Sequence, residues 1–82
     1  MNEVEFTEEM LLSFYKRVSK NVIRLRKEKK ISQLKLANAI GHQNATFLGK
    51  AELLAEGKHF NLEHLVKIAH ILKVDINEFF RE

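Results

Sequence analysis

Apolar residues recur at intervals of three and four along most of the chain, which is the spacing of helices that bury one face. The pattern divides into five segments and predicts five helices and no strand. Residues that cap helices stand at the start of four segments, and the third begins near Asn44 or Ala45. The four caps are Thr7, Ser32, Asn61 and Asp75. The sequence therefore predicts an all-α, compact five-helix bundle with short connections.

The same periodicity predicts which side chains form the core. The first helix contributes Leu11, Phe14, Tyr15, Val18, Val22 and Leu25, and the second contributes Leu36, Ala37 and Ile40. The fourth contributes Leu62, Leu65, Ile68, Ala69 and Leu72, and the core is closed by Val74, Ile76 and Phe79. We expect the third helix to end by about Ala55, before Glu56-Gly57-Lys58, and the fifth to open with a capping box between Asp75 and Glu78.

Length and composition narrow the class of protein. The 82 residues predict one domain over residues 1–82, in which residues 1–17 are an N-terminal extension of the first helix. The absence of cysteine excludes disulfides and thiolate metal sites. No apolar run approaches the roughly 20 residues of a membrane span, and the acidic start lacks the basic residues of a secretory signal. We therefore expect a cytoplasmic protein without a membrane partner.

The net charge of +3 hides a strong asymmetry along the chain. Residues 1–15 carry four acids and no base, whereas residues 16–35 carry nine bases and one acid. Residues 36–82 are nearly balanced, with five bases and six acids. A basic segment of this kind attracts a polyanion over long range, although it is equally the composition of a solvated helix face.

The second and third helices are joined at Gly41, a residue that permits a sharp backbone turn. Two helices crossing at such a turn can place the second one in the major groove of DNA. Together with this turn, a series of short motifs resembles the lambda-repressor-like, Cro-type (XRE) helix-turn-helix family over about residues 18–80. The motifs are Leu25-Arg26, Ile31-Ser32-Gln33, Leu36-Ala37, Ile40-Gly41, Glu52, and Asn61-Leu62-Glu63 with Leu65.

The resemblance implies two groups of DNA contacts. Base edges would be read from the leading part of the third helix, for which the candidates are Gln43, Asn44, Thr46 and Lys50. Phosphates would be contacted at the start of the second helix and just before the fourth, where the candidates are Ser32, Gln33, Lys35, Lys58 and Asn61. The family also implies an ion pair between Arg26 and Glu52 behind the helix pair, with a structural role.

The chain departs from the family pattern inside the candidate reading helix. The interval from Gly41 to Glu52 is one residue longer than the common spacing. The resemblance therefore leaves two neighbouring positions as candidates for the residue that faces the groove. Gly49 lies within the helix, where it either permits close approach to DNA or only weakens the helix. Phe47 either packs against a thymine methyl or a sugar, or tucks against the second helix or the loop after the third; we favour the tucked position.

No residue set indicates catalysis, a metal, a cofactor or a small-molecule ligand. His64 and His70 are six positions apart on one helix and do not share a face, and His42 lies in a different turn. The serines and threonines lack a paired base, and no phosphate-binding glycine loop is present. We therefore expect a protein that is not an enzyme.

The expected partners are double-stranded DNA and a second copy of the chain. The segment from Val4 to Tyr15 exceeds what a five-helix core needs, and its apolar side chains either pack near Phe79 and Phe80 or form a two-fold interface, which we favour. The predicted function is a sequence-specific transcriptional regulator, a repressor or autoregulator. The alternative is a protein-interaction module, such as an antitoxin-like or accessory factor, that keeps the fold without reading DNA.

Overall fold

A computed structural model describes residues 5–82, which contain four α-helices, two short 3₁₀-helices and no strand. The α-helices are α1 (Glu8–Glu28), α2 (Gln33–Ala39), α3 (Thr46–Leu53) and α4 (Leu62–Leu72), and the 3₁₀-helices are Ala55–Gly57 and Ile76–Phe80. The all-α prediction is confirmed over this range. Residues 1–4, which include Glu3 of the acidic start and Val4 of the predicted leading segment, lie outside the described residues.

Three predicted helix starts are confirmed by their caps. The Thr7 hydroxyl accepts a hydrogen bond from the backbone N–H of Met10 at 3.2 Å, and the Ser32 hydroxyl accepts one from Lys35 at 3.0 Å. The Asn61 side chain accepts from the N–H of His64 at 2.8 Å, while His64 Nδ1 accepts from the N–H of Asn61 at 3.0 Å. Each cap satisfies N–H groups that have no partner inside their helix.

The prediction of a fifth α-helix is wrong, because residues 76–80 form a 3₁₀-helix. The Asp75 carboxylate accepts from the N–H of Asn77 at 2.8 Å, two residues on, which tightens the turn. Glu78 does not complete a capping box; its carboxylate lies 2.9 Å from Arg81 and 3.9 Å from Arg24. The final segment is therefore held by side-chain contacts rather than by an α-helical ladder.

α3 begins as predicted, with Ala45 at its N-cap position, but ends earlier than predicted. The Asn44 side chain accepts from the N–H of Thr46 at 3.0 Å and forms a turn just before the helix. Its end comes at Leu53, because Leu54 adopts a left-handed conformation with φ of +55°. Residues 55–57 follow as a 3₁₀-helix instead of a last helical turn.

One hydrophobic core contains most of the predicted side chains. The buried apolar residues are Val18, Val22, Leu25, Leu36, Ala37, Ile40, Leu48, Ala51, Phe60, Leu65, Ile68, Ala69, Leu72 and Phe79. Three predicted core residues are wrong, because Leu62 is 71% exposed, and Leu11 and Phe14 are also exposed. All three line one open groove between α1 and the start of α4, and Phe14 stacks on Phe80 there with ring centroids 5.8 Å apart. Tyr15, Val74 and Ile76 are half-buried.

Side-chain hydrogen bonds attach the C-terminal segment and α3 to α1. The Asn21 amide donates to the carbonyl oxygens of Phe79 at 2.9 Å and Arg81 at 2.7 Å, which holds the C-terminal segment against α1. The buried Ser19 hydroxyl donates to the carbonyl of Ala51 at 2.9 Å and joins α1 to α3. In the part of the chain that the structure describes, no helix is both long enough and apolar enough to cross a membrane.

Candidate nucleic-acid interface

The connection between α2 and α3 turns at Gly41, as the sequence predicts. Gly41 has φ of +99°, a conformation that side-chain-bearing residues rarely adopt. The N–H of His42 donates to the carbonyl of Ala37 at 2.9 Å, so the chain folds back over the end of α2. This turn sets the direction in which α3 leaves α2.

A buried ion pair ties α3 to α1. Arg26 Nε lies 2.7 Å from Glu52 Oε2, and Arg26 Nη2 lies 3.1 Å from Glu52 Oε1. The two side chains are only 9% and 3% exposed. Arg26 Nη1 also donates to the carbonyl of Ile31 at 2.9 Å, which places the start of α2 relative to α1. The predicted pair is thus present, with a bidentate geometry that fixes three elements at once.

Gln33 joins α2 to this ion pair. Its Nε2 donates to Glu52 Oε1 at 2.8 Å, so the amide side chain crosses from the start of α2 to α3. Gly49 lies beneath it, and a Cβ atom built on Gly49 would stand 3.6 Å from Gln33 Oε1. Gln33, Arg26 and Glu52 therefore form one network, which we call the clamp.

The four candidate base-reading residues divide into two environments. Gln43, Asn44 and Thr46 are exposed and lie together at the leading end of α3. The side-chain Oδ1 of Asn44 already accepts from the N–H of Thr46, so the turn holds that side chain in place. Lys50 lies one turn later, half-buried, with its Nζ 2.6 Å from a carboxylate oxygen of Glu56. The hydrogen bond from Lys50 and its charge lower the pKa of Glu56.

The candidate phosphate-contacting residues lie at the start of α2 and before α4, two regions with neighbours that contact α3. Ser32, Lys35, Lys58 and Asn61 are exposed, and Gln33 is half-buried because of the clamp. Contacts connect each group to α3. The start of α2 touches it through Gln33, the 3₁₀-helix that precedes Lys58 touches it through the Lys50–Glu56 pair, and the start of α4 touches it through His64, whose ring centroid lies 4.6 Å from that of Phe47.

An aromatic cluster, formed by His42, Phe47, Phe60 and His64, joins α3 to α4, and sequence reasoning did not find it. The ring centroids of His42 and Phe47 are 5.3 Å apart, and those of His42 and His64 are 6.2 Å apart. Phe47 is half-buried in this cluster, so it takes the tucked position. Burial lowers the pKa of His64, and the charge of His42 lowers it further. No spacing in the sequence relates His42 to His64.

Within the basic segment, residues 16–35, the arginines and the lysines lie in different environments. The arginines are engaged: Arg17 with Glu82, Arg24 with Glu28 and Glu78, and Arg26 in the clamp. The lysines are exposed and lie along α1 and around the start of α2: Lys16, Lys20, Lys27, Lys29, Lys30 and Lys35. The cationic surface of this segment is therefore supplied chiefly by lysine.

Within residues 5–82, no group of three or more histidine or acidic side chains is placed to hold a metal ion. Comparison of the chain with protein-family models, with curated proteins and with solved structures gave no match. Its function therefore has to be inferred from the geometry of the α2–α3 pair and the charges around it.

Proposed function

We propose that the chain is a sequence-specific double-stranded DNA-binding transcriptional regulator of the lambda-repressor-like helix-turn-helix type, a repressor or autoregulator that acts as a homodimer. The observation that carries the proposal is the clamp. Arg26, Glu52 and Gln33 fix α2 and α3 to α1 from behind, at distances of 2.7 to 3.1 Å, while the leading end of α3 stays polar and exposed. A short helix held this way is suited to enter the major groove.

Base reading is assigned to the leading end of α3. The eight residues of α3 span about 12 Å, which is comparable to the width of the major groove. Gln43 can form two hydrogen bonds to adenine, and the Thr46 methyl can pack on the thymine methyl. Asn44 keeps its NH₂ group available while its oxygen holds the turn. Lys50 reaches a guanine or a phosphate by exchanging its exposed Glu56 partner, a change that costs little at a surface ion pair.

Phosphate contacts would set the register of the protein on the duplex. Ser32, Lys35, Lys58 and Asn61 are exposed on the elements that border α3. Ser32 accepts from the N–H of Lys35 and keeps its own hydroxyl proton to donate, and Asn61 likewise keeps its NH₂ group. The exposed lysines of α1 add long-range attraction for the polyanion.

A protein-interaction module is the alternative function. The exposed apolar side chains Leu34 and Leu62 favour it, since they are next in sequence to candidate phosphate-contacting residues. Leu53, at the opposite end of α3 from the candidate reading residues, is exposed as well. The two functions differ in their response to salt. A duplex binder loses affinity with a log–log slope of about −0.9 per phosphate contact, whereas a protein-interaction module has no affinity for a duplex.

Selection of bound sites from a random duplex library tests the proposal. We expect a two-fold symmetric consensus, because a homodimer presents two copies of α3. Gln43→Ala should relax the preference at one position of each half-site by roughly 1–3 kcal/mol, measured by fluorescence anisotropy on substituted duplexes. Asn77→Ala is the control, because Asn77 is an exposed amide on the C-terminal 3₁₀-helix. A library that yields no enriched duplex would overturn the proposal.

A further inference from the structure

A groove of about 480 Å³ lies between α1 and the end of α3. Its apolar walls are Leu12 and Ile23 of α1 with Leu53 and Leu54 of α3 and the turn after it. Leu53 is 78% exposed, and Leu12 is also exposed. The stems of Lys16 and Lys20 form its rim. This is an apolar surface next to a cationic edge, and it fits an apolar side chain that is accompanied by acidic residues.

The chain itself carries such a segment. Phe6, just before α1, is 68% exposed and is flanked by Glu5, with Glu8 and Glu9 in the first turn of the helix. The groove and the segment that would fill it therefore occur on the same polypeptide. A surface that contains both halves of a contact is self-complementary, which is the requirement for a two-fold interface.

The charges of residues 5–20 specify how two copies would pair. The three acids are Glu5, Glu8 and Glu9, and the three bases are Lys16, Arg17 and Lys20. These charges are arranged symmetrically in sequence about the midpoint between Leu12 and Ser13. Glu9 matches Lys16, Glu8 matches Arg17, and Glu5 matches Lys20. Antiparallel pairing of two α1 helices about this midpoint places the acidic half of one chain beside the basic half of the other, whereas parallel pairing places like charges together.

The pairing must also use the side of α1 that faces the groove. Glu9, Leu12 and Lys16 are three and four residues apart, so they share one side of α1, and Leu12 and Lys16 line the groove. With the two-fold axis beside Leu12, that residue meets its own copy. Glu9 of each chain then lies beside Lys16 of the other, and Phe6 reaches the wall formed by Ile23 and Leu53.

We infer that this side of α1 and the adjoining groove form a homodimer interface, in which two copies pair antiparallel and each inserts Phe6 into the groove of the other. The inference deepens the proposed function, because two-fold reading of DNA rests on such a pairing. The occupant of the groove is a second copy of this chain rather than an unrelated protein, since the chain supplies both the apolar filler and the matching charges.

Sedimentation equilibrium of the full chain without DNA tests the pairing. We expect the mass of a dimer, and a dissociation constant raised about tenfold by either Glu9→Lys or Lys16→Glu, because each change replaces two attractive contacts per dimer by two repulsive ones. The double variant should recover the affinity of the parent chain. An equimolar mixture of the two single variants should form a heterodimer more tightly than either alone. A monomeric parent chain, or a double variant weaker than both single variants, would overturn the inference.

The absence of cysteine from the chain permits a second test of the register. Leu12→Cys places a thiol beside the proposed two-fold axis, so mild oxidation should convert most of this variant to a disulfide-linked dimer. Ser13→Cys is the matched control, because the adjacent residue points about 100° away around the helix. Equal cross-linking of the two variants would contradict the proposed side of α1.

The outcomes separate this inference from the proposed function. A dimer with no affinity for any duplex retains the interface and rejects the DNA-binding function. A monomer that binds a duplex rejects the interface and retains DNA binding. The dimer is measured without DNA, so neither result depends on the other.

Discussion

The guanidinium group of Arg26 holds both carboxylate oxygens of Glu52, across 26 positions of sequence, at 2.7 and 3.1 Å. Glu52 Oε1 is shared with Gln33, which donates to it at 2.8 Å. Every hydrogen bond of this clamp therefore depends on one carboxylate. The clamp that ties α3 to α1 and α2 is therefore centred on a charge that is almost completely removed from water.

Removing one charge of the clamp should destabilise the fold strongly. Glu52→Gln keeps the shape of the side chain but leaves the buried Arg26 guanidinium unpaired, which costs about 3–5 kcal/mol. Arg26→Met combined with Glu52→Met should cost less than the sum of the two single changes, because the double variant buries no charge. Urea unfolding followed by circular dichroism measures both effects.

The exposed pair Arg24–Glu28 is the control for this cycle. Its two side chains are 3.4 Å apart, four positions apart on α1, and 37% and 57% exposed, far more than those of the clamp. Its coupling energy should be about 0.3–0.5 kcal/mol. Coupling between Arg26 and Glu52 no larger than this value would contradict a stabilising role for the buried pair.

Alanine substitution should change the stability of the protein in opposite directions at Gly41, in the turn, and at Gly49, within α3. Gly49 lies in α3 with room for a methyl group, since a Cβ would stand 3.6 Å from Gln33 Oε1, in ordinary contact. Gly49→Ala should therefore stabilise the protein by up to about 1 kcal/mol. Gly41 has φ of +99°, so Gly41→Ala should destabilise it by about 1–2 kcal/mol. Thermal unfolding of the two variants provides the comparison, and a loss of stability in Gly49→Ala would show that the methyl group disturbs Gln33.

Stability should fall as pH decreases through the histidine range because of His64. Burial, and then the charge of His42, lower the pKa of His64 below its ordinary value of 6.5, and its neutral Nδ1 accepts from the N–H of Asn61. The unfolded chain therefore takes up the proton at a higher pH than the folded one. The stabilisation from neutral His64 is present above about pH 6.5 and is lost as pH falls through the lower folded pKa.

His64→Gln separates protonation from capping. Glutamine at this position completes the same reciprocal cap with Asn61 but does not titrate. The variant should retain its stability near pH 7 and show a smaller loss between pH 7 and pH 5, measured as the free energy of unfolding in urea. His70→Gln, exposed on the same helix, should keep the dependence of the parent chain. An unchanged pH profile in His64→Gln would remove His64 as its source.

Lys58→Ala should weaken duplex binding without changing which sequence is preferred. If Lys58 contacts a phosphate, its loss should reduce the slope of log affinity against log salt by about 1. Lys67→Ala, on the exposed side of α4, should leave that slope unchanged. Anisotropy titrations over a range of salt concentrations measure both variants. Equal slopes for Lys58→Ala and the parent chain would exclude Lys58 from the phosphate contacts.

Local chemistry made much of the fold predictable. Thr7, Ser32 and Asn61 were found as caps because a helix start needs a side-chain acceptor within three residues. Periodicity gave the side of each helix that faces inward, but not how far along the helix its neighbours extend. Leu62 and Phe14 fit their apolar stripes and are nevertheless exposed, although Phe14 stacks on Phe80 with ring centroids 5.8 Å apart.

The candidate site was less predictable, because it depends on contacts distant in sequence. Arg26 and Glu52 were paired through a resemblance rather than from spacing. The bond from Gln33 to Glu52, the turn held by Asn44, and the approach of His42 to His64 depend on how the chain crosses itself. Asp75 carried the signal of a capping box but uses a tighter turn, since Glu78 is drawn to Arg24 and Arg81 instead.

The attachment of α1 to the far end of the described chain has a consequence for biosynthesis. Asn21 binds the carbonyl oxygens of Phe79 and Arg81, and Phe79 is completely buried. These are contacts between residues about 60 positions apart, so they form only after nearly all of the described chain has left the ribosome. Until then the nascent polypeptide exposes the apolar site that Phe79 will fill.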